Sequence, residues 1–259
     1  MIVSIVIAAA SGEPVTGRCI ASVRQFAGDE RLEFVVLPCE QSSIFRTRAE
    51  GIERATGDRI AVLGDRYEVT PAWIERLLRG GGAAVAAGCI APGSHMTYWG
   101  WCVYLCEYAH VAPPVTPGET RQPKLAPGGN MVYSRAIVRQ FPPARATSEL
   151  SFHATLIEAG VNLRLCPELE VEFASPPGAG YVVERFLHSR AIGREGGARK
   201  LLIAPLLPLV APMRIGAAIL SRGRYLTRFL LCVPVIVLLG VVQAAGEFTG
   251  ALGALRKTK

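Results

Sequence analysis

The sequence predicts an α/β protein with a mixed, mainly parallel sheet flanked by helices, followed by a C-terminal helical membrane module. Short β-branched apolar runs alternate with segments of helical spacing along the N-terminal part, as expected of strand–helix–strand units. Half of the 259 residues are hydrophobic, and a strongly apolar, uncharged run lies near the C-terminus. A chain of this length can bury a full core. We expect residues 1–178 to form the sheet domain and residues 179–259 the membrane module.

The N-terminal elements alternate in type and are bounded by Gly, Pro or charged residues. Buried parallel strands are typically short and β-branched, whereas helices show apolar residues three and four apart. The predicted strands are residues 2–9, 33–37, 59–63 and 83–90, and the predicted helices are residues 15–26, 45–55 and 72–79. This alternation favours a mainly parallel sheet.

The middle of the chain is less regular, with a Pro/Gly loop over residues 113–127. The remaining predicted elements are a helix at 98–110, a strand at 130–133, a helix at 149–159, strands at 162–166 and 170–173, and a linker at 176–180. Gly160 directly follows the helix at 149–159, and glycine at that position is a common helix stop signal.

The apolar, uncharged run at residues 229–246 has the length of a membrane helix. Its eighteen residues would cover about 27 Å, close to the roughly 30 Å hydrocarbon core of a bilayer. Arg224, Arg228, Arg256, Lys257 and Lys259 flank it, which favours a membrane helix over the alternative of a buried core helix. Residues 201–213 are proline-broken and too short to span, so we expect an interfacial or re-entrant helix there.

Charge and cysteine usage narrow the class of protein further. The net charge is +7, and it is concentrated late in the chain, where eight arginines and one lysine lie between Arg185 and Arg228. Basic residues beside apolar segments suit anionic lipid head groups and a cytoplasmic N-terminal domain, whereas nucleic acid binding would call for base-stacking aromatics. The seven cysteines form no CxxC pair, which favours reduced, buried thiols over zinc or disulfide roles.

Four segments, taken in order, resemble the family 2 inverting glycosyltransferases, which have the GT-A nucleotide-sugar fold. They are VSIVIAAA, GDRIAVLGDRYEVTPAWIERLL, APGGNMVYSRAIV and SELSFHATLIEAGVNLRLCPELEVEF. A bacterial membrane-associated subgroup of this family is similar in two further features: a CEY segment followed by Pro113-Pro114, and an apolar tail ending in Gly246-Glu247. The resemblance covers most of residues 3–200.

The resemblance implies a catalytic carboxylate at the start of the helix after the Gly-Asn strand. Glu149 occupies that position, and His153 lies one turn later on the same face. An inverting displacement at a sugar C1 needs a base for the acceptor hydroxyl, and this is the role the resemblance gives Glu149. A simple helix N-terminal acid is the alternative for Glu149, and an interface histidine is the alternative for His153.

The resemblance also implies a divalent cation, Mg²⁺ or Mn²⁺, bridging the donor diphosphate. The two flanking ligand positions of the family motif are Gly64 and Arg66 here, which leaves Asp65 as metal or donor ligand. Glu68 could supply a displaced metal ligand or be an exposed turn residue. Arg66 could replace the ion, because a guanidinium can hold phosphate through two hydrogen bonds, or it could be a surface turn arginine.

Further donor contacts are expected near the ends of neighbouring strands. Glu40 is the nearest acidic residue after the second strand, and Gly129 allows backbone to approach a ligand closely. Asn130 could bond sugar hydroxyls or simply form a turn. Arg46 and Arg48 could reach phosphates, or they could form a solvated helix face.

These observations together predict a membrane-associated glycosyltransferase at the cytoplasmic face of the inner membrane. Its donor would be a nucleotide sugar, and its acceptor a lipid-linked or envelope glycan. Membrane lipids and membrane proteins are the expected partners, and nucleic acid is not. The alternative is a degenerate transferase domain that acts as a scaffold. A nucleotidyltransferase is disfavoured, because Ser11-Gly12 lacks the lysine-containing phosphate loop expected there.

Overall fold

A computed structural model describes residues 2–28, 32–39, 44–79, 82–178 and 180–257. The chain forms two compact units. The first contains the chain up to His95 together with Val111–Ser175, and the second contains Met96–His110 together with the chain from Pro176 onward. The sequence predicted one division at residue 178, whereas the contacts also assign the segment around residues 96–110 to the second unit.

The first unit contains all ten strands of the described chain and five of the helices. Up to residue 95 its elements are β1 (Val3–Ala9), α1 (Glu13–Phe26), β2 (Leu32–Pro38), α2 (Ile44–Arg54), β3 (Arg59–Gly64), β4 (Tyr67–Val69), α3 (Pro71–Leu78), β5 (Val85–Ala87) and β6 (Ile90–Pro92). Helix α4 (Tyr98–Tyr108) belongs to the second unit. The first unit then continues with β7 (Gly118–Thr120), β8 (Asn130–Ser134), α5 (Arg135–Gln140), α6 (Glu149–Glu158), β9 (Leu163–Leu165) and β10 (Val171–Phe173).

The central sheet has seven strands in the order β2-β1-β3-β8-β5-β9-β7. Strands β2, β1, β3, β5 and β9 run in one direction, and β8 and β7 run against them. A second sheet has the order β4-β10-β6. The predicted fold class, a mixed and mainly parallel sheet flanked by helices, is therefore confirmed.

The predicted strand at residues 83–90 is two strands in different sheets. β5 lies in the central sheet and β6 in the small one, and Gly88 lies between them. A Cβ at Gly88 would lie 2.0 Å from the Leu169 carbonyl oxygen, so a side chain cannot fit there. Periodicity did not reveal the break, because the residues on both sides are equally apolar and buried.

Helix α6 is fixed at both of its ends. Ser148 and Ser151 form a reciprocal capping box at its start. At its end, Gly160 has a φ of +84°, and the Val161 amide donates to the Leu156 carbonyl, the arrangement of a Schellman motif. Phe152 and Leu156 pack with Met131 and Tyr133 of β8 in the main hydrophobic core. The helix start is thereby held at a fixed place beside β8.

The second unit is helical: after α4 come α7 (Tyr181–Gly196), α8 (Ala198–Ile203), α9 (Leu207–Arg222) and α10 (Leu226–Lys257). The predicted membrane segment at residues 229–246 lies inside α10. The segment at 201–213 was predicted to be too short to span, but a 3-10 turn joins α8 to α9, giving a helical run of 24 residues over Arg199–Arg222. This run and Leu226–Leu255 are both long and apolar enough to cross a membrane, and 17% and 33% of their most apolar windows are buried in the protein.

Candidate active site

The candidate active site lies where the carboxyl ends of β1, β2 and β3 meet. β1 pairs with β2 on one side and with β3 on the other, so the chain crosses from one side of β1 to the other. In open α/β sheets, ligands bind at such a switch point, outside the carboxyl ends of the strands. The segments after β1 and β3 carry the residues on which the site depends.

Asp65 follows β3 and fixes the turn after β1. Its side chain is buried, and its Oδ2 accepts hydrogen bonds from the backbone amides of Ala10 at 2.8 Å and Ser11 at 2.7 Å. The Ser11 hydroxyl is buried and has no hydrogen-bond partner among the residues the structure describes. Sequence reasoning set Ser11 aside, since a lone Ser-Gly pair is a weak signal. Asp65 therefore organises this turn and leaves one buried hydroxyl available to a ligand.

Gly129 lies where β8 begins, beside the turn after β3. The Gly64 amide donates to the Gly129 carbonyl oxygen at 2.8 Å. A Cβ at Gly129 would approach the Tyr67 ring at 3.0 Å and Nη2 of Arg48 at 3.1 Å. The close approach expected of Gly129 is thus to Tyr67 and Arg48.

Glu149 is the first residue of α6, and its carboxylate pairs with Arg48 of α2. The distance from Arg48 Nη1 to Glu149 Oε1 is 2.6 Å, with 12% of the arginine side chain and 27% of the glutamate side chain exposed. Gly128 makes room for the pair, because a Cβ there would lie 2.5 Å from Glu149 Cγ. Glu149 is thus held in place while part of its surface stays open to solvent.

The structure distinguishes the two arginines of α2. Arg46 is exposed, as a solvated helix face predicts, whereas Arg48 is largely buried against Glu149. The pairing of Arg48 was missed, although one signal was available: Arg48 lies one turn before Ile52, which belongs to the hydrophobic core.

His153 is completely buried, one turn after Glu149. Its Nε2 lies 2.8 Å from the Tyr133 hydroxyl, and its ring packs beside Phe152. Burial lowers the pKa of His153 to about 4, although the charge of Glu149 opposes the shift. Its Nδ1 has no partner within the described parts of the chain. His153 is therefore a neutral core residue, and its ring does not reach an acceptor at the surface.

The sequence left Asn130 either as a sugar contact or as a turn residue, and its side chain lies in the core. Its side chain is completely buried; Oδ1 accepts from Trp73 Nε1 at 3.0 Å, and Nδ2 donates to the carbonyls of Cys89 at 2.9 Å and Leu169 at 2.7 Å. Both amide hydrogens and one oxygen lone pair are thereby used. Asn130 joins α3, the turn after β5 and the segment before β10, and it offers no donor to a sugar.

Arg66 lies at the other end of the site, beside Ser175. Its Nη1 donates to the Ser175 carbonyl at 3.3 Å, and its own carbonyl accepts from the Ser175 amide. Arg18 Nη2 donates to the Ser175 hydroxyl at 2.9 Å. Two guanidinium groups therefore lie together at the end of the first unit.

The residues of the turn after β3 do not fit a divalent-cation site. One oxygen of Asp65 is engaged by two backbone amides, Gly64 has no side chain, and Arg66 brings positive charge. Glu68 lies on β4 opposite Glu172 of β10. In the described ranges no group of three or more His, Cys, Asp or Glu residues could hold a metal.

The buried thiol of Cys19 lies near the site, with its sulfur 3.5 Å from the Gly64 carbonyl oxygen. Burial raises the pKa of the Cys19 thiol, and the charges of Asp65 and Glu68 raise it further, so this thiol stays protonated. Glu40, expected to hold the donor base or ribose, lies outside the residues the structure describes.

The fold is similar to that of solved glycosyltransferases. The mannosyltransferase PcManGT from Pyrobaculum calidifontis, solved in complex with GDP-Man and Mn²⁺, matches 99% of this chain over 88% of its own length, with 14% identity and a TM-score of 0.50. S. aureus TarS in complex with UDP-GlcNAc matches 100% of this chain over 93% of its own, with 11% identity and a TM-score of 0.46. No family model matches the sequence, and no curated protein does.

The chain therefore has a glycosyltransferase fold of the GT-A type, with a helical C-terminal unit. At this level of identity the likeness establishes the fold alone.

Proposed function

We propose that this chain is a family 2 inverting glycosyltransferase of the bacterial, membrane-associated kind that the sequence motifs resemble. It would transfer a hexosyl group from a nucleotide sugar to a lipid-linked or envelope acceptor at the cytoplasmic face of the inner membrane. The observation that carries the proposal is the placement of Glu149. A partly exposed carboxylate is held by Arg48 against the Gly128-Gly129 turn, at the strand ends where this fold class binds ligands.

Glu149 acts as the general base in this proposal. It accepts the proton of the acceptor hydroxyl as that oxygen forms a bond to C1 of the donor sugar. The bond from C1 to the donor phosphate oxygen breaks at the same time, and the nucleoside diphosphate leaves with the electron pair. The sugar is inverted at C1, and the proton remains on Glu149 until solvent removes it.

The donor lies against the turns after β1 and β3. Asp65 fixes the Ala10–Ser11 turn, and the Ser11 hydroxyl can bond the nucleoside. Arg66 and Arg18 supply positive charge for the departing diphosphate, a task that guanidinium groups perform through paired hydrogen bonds. Arg66 would therefore do the work that a metal ion does elsewhere.

His153 supports the base without touching substrate. Its neutral ring bonds the Tyr133 hydroxyl and holds α6 on β8, so it is a positioning residue for Glu149. Asn130 likewise has a structural role, because its side chain bonds Trp73 of α3 and the carbonyls of Cys89 and Leu169.

Membrane attachment would come from the second unit. Large apolar side chains of α9 and α10 are exposed, among them Leu209, Met213, Leu230 and Leu238. Contiguous apolar surface of this kind marks membrane or protein interaction sites. A lipid-linked acceptor would present its head group at the same surface.

Calorimetric titration with a panel of nucleotide sugars, with and without Mn²⁺, tests the enzymatic proposal. We expect one donor to bind in the presence of EDTA, and Arg66→Gln to weaken that binding at least tenfold. The matched control is Arg46→Gln, on an exposed helix face. No binding by any donor under either condition would contradict the proposal.

A second candidate function is a non-catalytic partner subunit in an envelope-assembly complex. The observation that favours it is the turn after β3, where the residues do not fit a cation site. A purified chain that binds a donor but transfers nothing to any membrane extract would support this candidate.

A further inference from the structure

In the second unit, the C-terminal half of α10 packs along α7, a helix with several charged residues. A Cβ at Gly246 would lie 2.6 Å from the Phe186 carbonyl oxygen, and one at Gly250 would lie 2.0 Å from that of Arg190. On the other helix, a Cβ at Gly193 would lie 2.1 Å from the Glu247 carbonyl oxygen. The backbones of α7 and α10 are therefore in direct contact, which these glycines permit.

A polar network reinforces this contact. Arg185 of α7 donates to Glu107 of α4 at 2.7 Å and to Gln243 of α10 at 2.8 Å. Gln243 donates to Glu247 at 3.1 Å, and the Lys200 ammonium lies 2.8 Å from the same carboxylate. The charges of the two carboxylates and the two cations balance. These contacts anchor α10 to α4, α7 and α8.

Helix α7 cannot lie in hydrocarbon, since His188, Arg190 and Arg194 are exposed on it. The part of α10 packed on α7, from about Leu239 onward, therefore cannot cross a hydrocarbon core, because α7 would have to cross with it. Only Leu226–Leu238 remains. These thirteen residues rise about 20 Å, short of the roughly 30 Å that a spanning helix must cover.

The turn between α9 and α10 cannot lie deep in a bilayer either. Arg222 donates to the carbonyls of Ala109 at 2.8 Å and His110 at 2.6 Å, at the end of α4. The Arg228 guanidinium lies over the Trp101 ring of α4, 5.5 Å from its centroid, and Arg224 is exposed. Arg224 lies in this turn, and Arg222 and Arg228, which flank it, both bind α4, so a hairpin that crosses and returns is not compatible with it.

The exposed surface of α10 is nevertheless apolar along almost its whole length. At helical spacing it presents Leu230, Pro234, Leu238, Val241, Ala245, Phe248, Leu252 and Leu255. This stripe rises about 38 Å from end to end, longer than a bilayer core is thick. A helix that is apolar on one side and packed against charged protein on the other has the character of an interfacial helix.

We propose that α9 and α10 form a monotopic anchor: they lie in the plane of one leaflet of an anionic bilayer, with the apolar stripe in the acyl region, and α10 does not cross. The exposed arginines of the unit, which include Arg199, Arg214, Arg224 and Arg228, complement anionic head groups. The inference rests on the membrane attachment proposed above and replaces the spanning helix that residues 229–246 predict.

The topology is tested on the full chain in inverted inner-membrane vesicles of a bacterial expression host. The chain carries an N-terminal tag, a C-terminal tag and a protease site inserted after Gly223. We expect external protease to remove both tags and to cut at Gly223. A protected C-terminal tag would show one crossing, and accessible tags with an uncut Gly223 site would show two; either result overturns the monotopic anchor but leaves membrane attachment intact.

Flotation of the purified chain with vesicles of phosphatidylcholine and phosphatidylglycerol tests membrane binding separately from the enzymatic proposal. We expect Leu230→Glu with Leu238→Glu to reduce vesicle binding roughly tenfold or more, and Ile2→Glu, an exposed apolar position of the first unit, to leave it unchanged. Failure of the unmodified chain to float, with concentration-dependent dimers instead, would overturn both membrane proposals in favour of a second copy on this surface. Donor titration would be unaffected in that case, so the enzymatic proposal is judged separately.

Discussion

Arg48 Nη1 donates to Glu149 Oε1 at 2.6 Å and so joins helix α2 to the first residue of helix α6. The two residues are 101 positions apart in the sequence. The pair holds the proposed base against Gly128, and both side chains are mostly shielded from solvent. In the proposed mechanism, this contact positions the base.

Glu149→Gln should abolish the general-base step and leave the fold intact. We expect the transfer rate to fall about 10²- to 10⁴-fold, the usual contribution of such a group, with the donor dissociation constant changed less than twofold. Rates with the donor identified by calorimetry check this. Glu158→Gln, an exposed acid on the same helix, is the matched control. Retained turnover in Glu149→Gln would remove this residue from the mechanism.

The coupling of Arg48 to Glu149 should be measurable in a double-mutant cycle of Arg48→Met and Glu149→Gln. Because the pair is largely shielded, we expect a coupling energy of about 1–2 kcal/mol in urea unfolding. The control cycle uses Arg79 and Glu75, an ion pair with both side chains mostly exposed, where about 0.5 kcal/mol or less is expected. Equal coupling in the two cycles would contradict the role given to Arg48.

His153 should make stability fall as the pH is lowered. In the unfolded chain the pKa of His153 is about 6.5, whereas burial lowers it to about 4 in the folded state. Above pH 6.5 both states are neutral and the histidine has no effect. Between pH 6.5 and 4 only the unfolded chain takes up the proton, so folding loses up to about 3 kcal/mol.

The variant His153→Gln should flatten this pH dependence, measured as the urea midpoint at several pH values. His188→Gln, at an exposed position, should keep the slope of the unmodified chain. If His153→Gln were to retain the full slope, the buried histidine would not be its source.

Asn130→Ala should lower stability without a specific effect on donor binding. Three side-chain hydrogen bonds are lost, and the Trp73 indole and the Leu169 carbonyl are left unsatisfied in the core, whereas the Cys89 carbonyl keeps the Val171 amide. We therefore expect a loss of about 2–4 kcal/mol. Thermal unfolding together with donor titration below the transition checks this. Asn162→Ala, which removes a surface hydrogen bond to Glu119, is the control and should cost less than about 1 kcal/mol. A stable Asn130→Ala that fails to bind donor would restore Asn130 to the donor site.

The sequence by itself determined the order and type of most elements, because burial on one face of a strand or helix leaves a periodic pattern. It placed α6 and its stop at Gly160, and it placed Glu149 at the start of that helix, since caps and glycine stops act within a few residues.

The tertiary structure decided what local patterns do not record, namely contacts between residues far apart in the chain. The residues next to Asn130 and His153 in the sequence are compatible with either a ligand site or a core. Their hydrogen-bond partners, Trp73 for Asn130 and Tyr133 for His153, identify both as core residues. The apolar run of α10 has the composition of a spanning helix. Its environment is set by α7, whose charges and glycine contacts are assembled only when the chain folds.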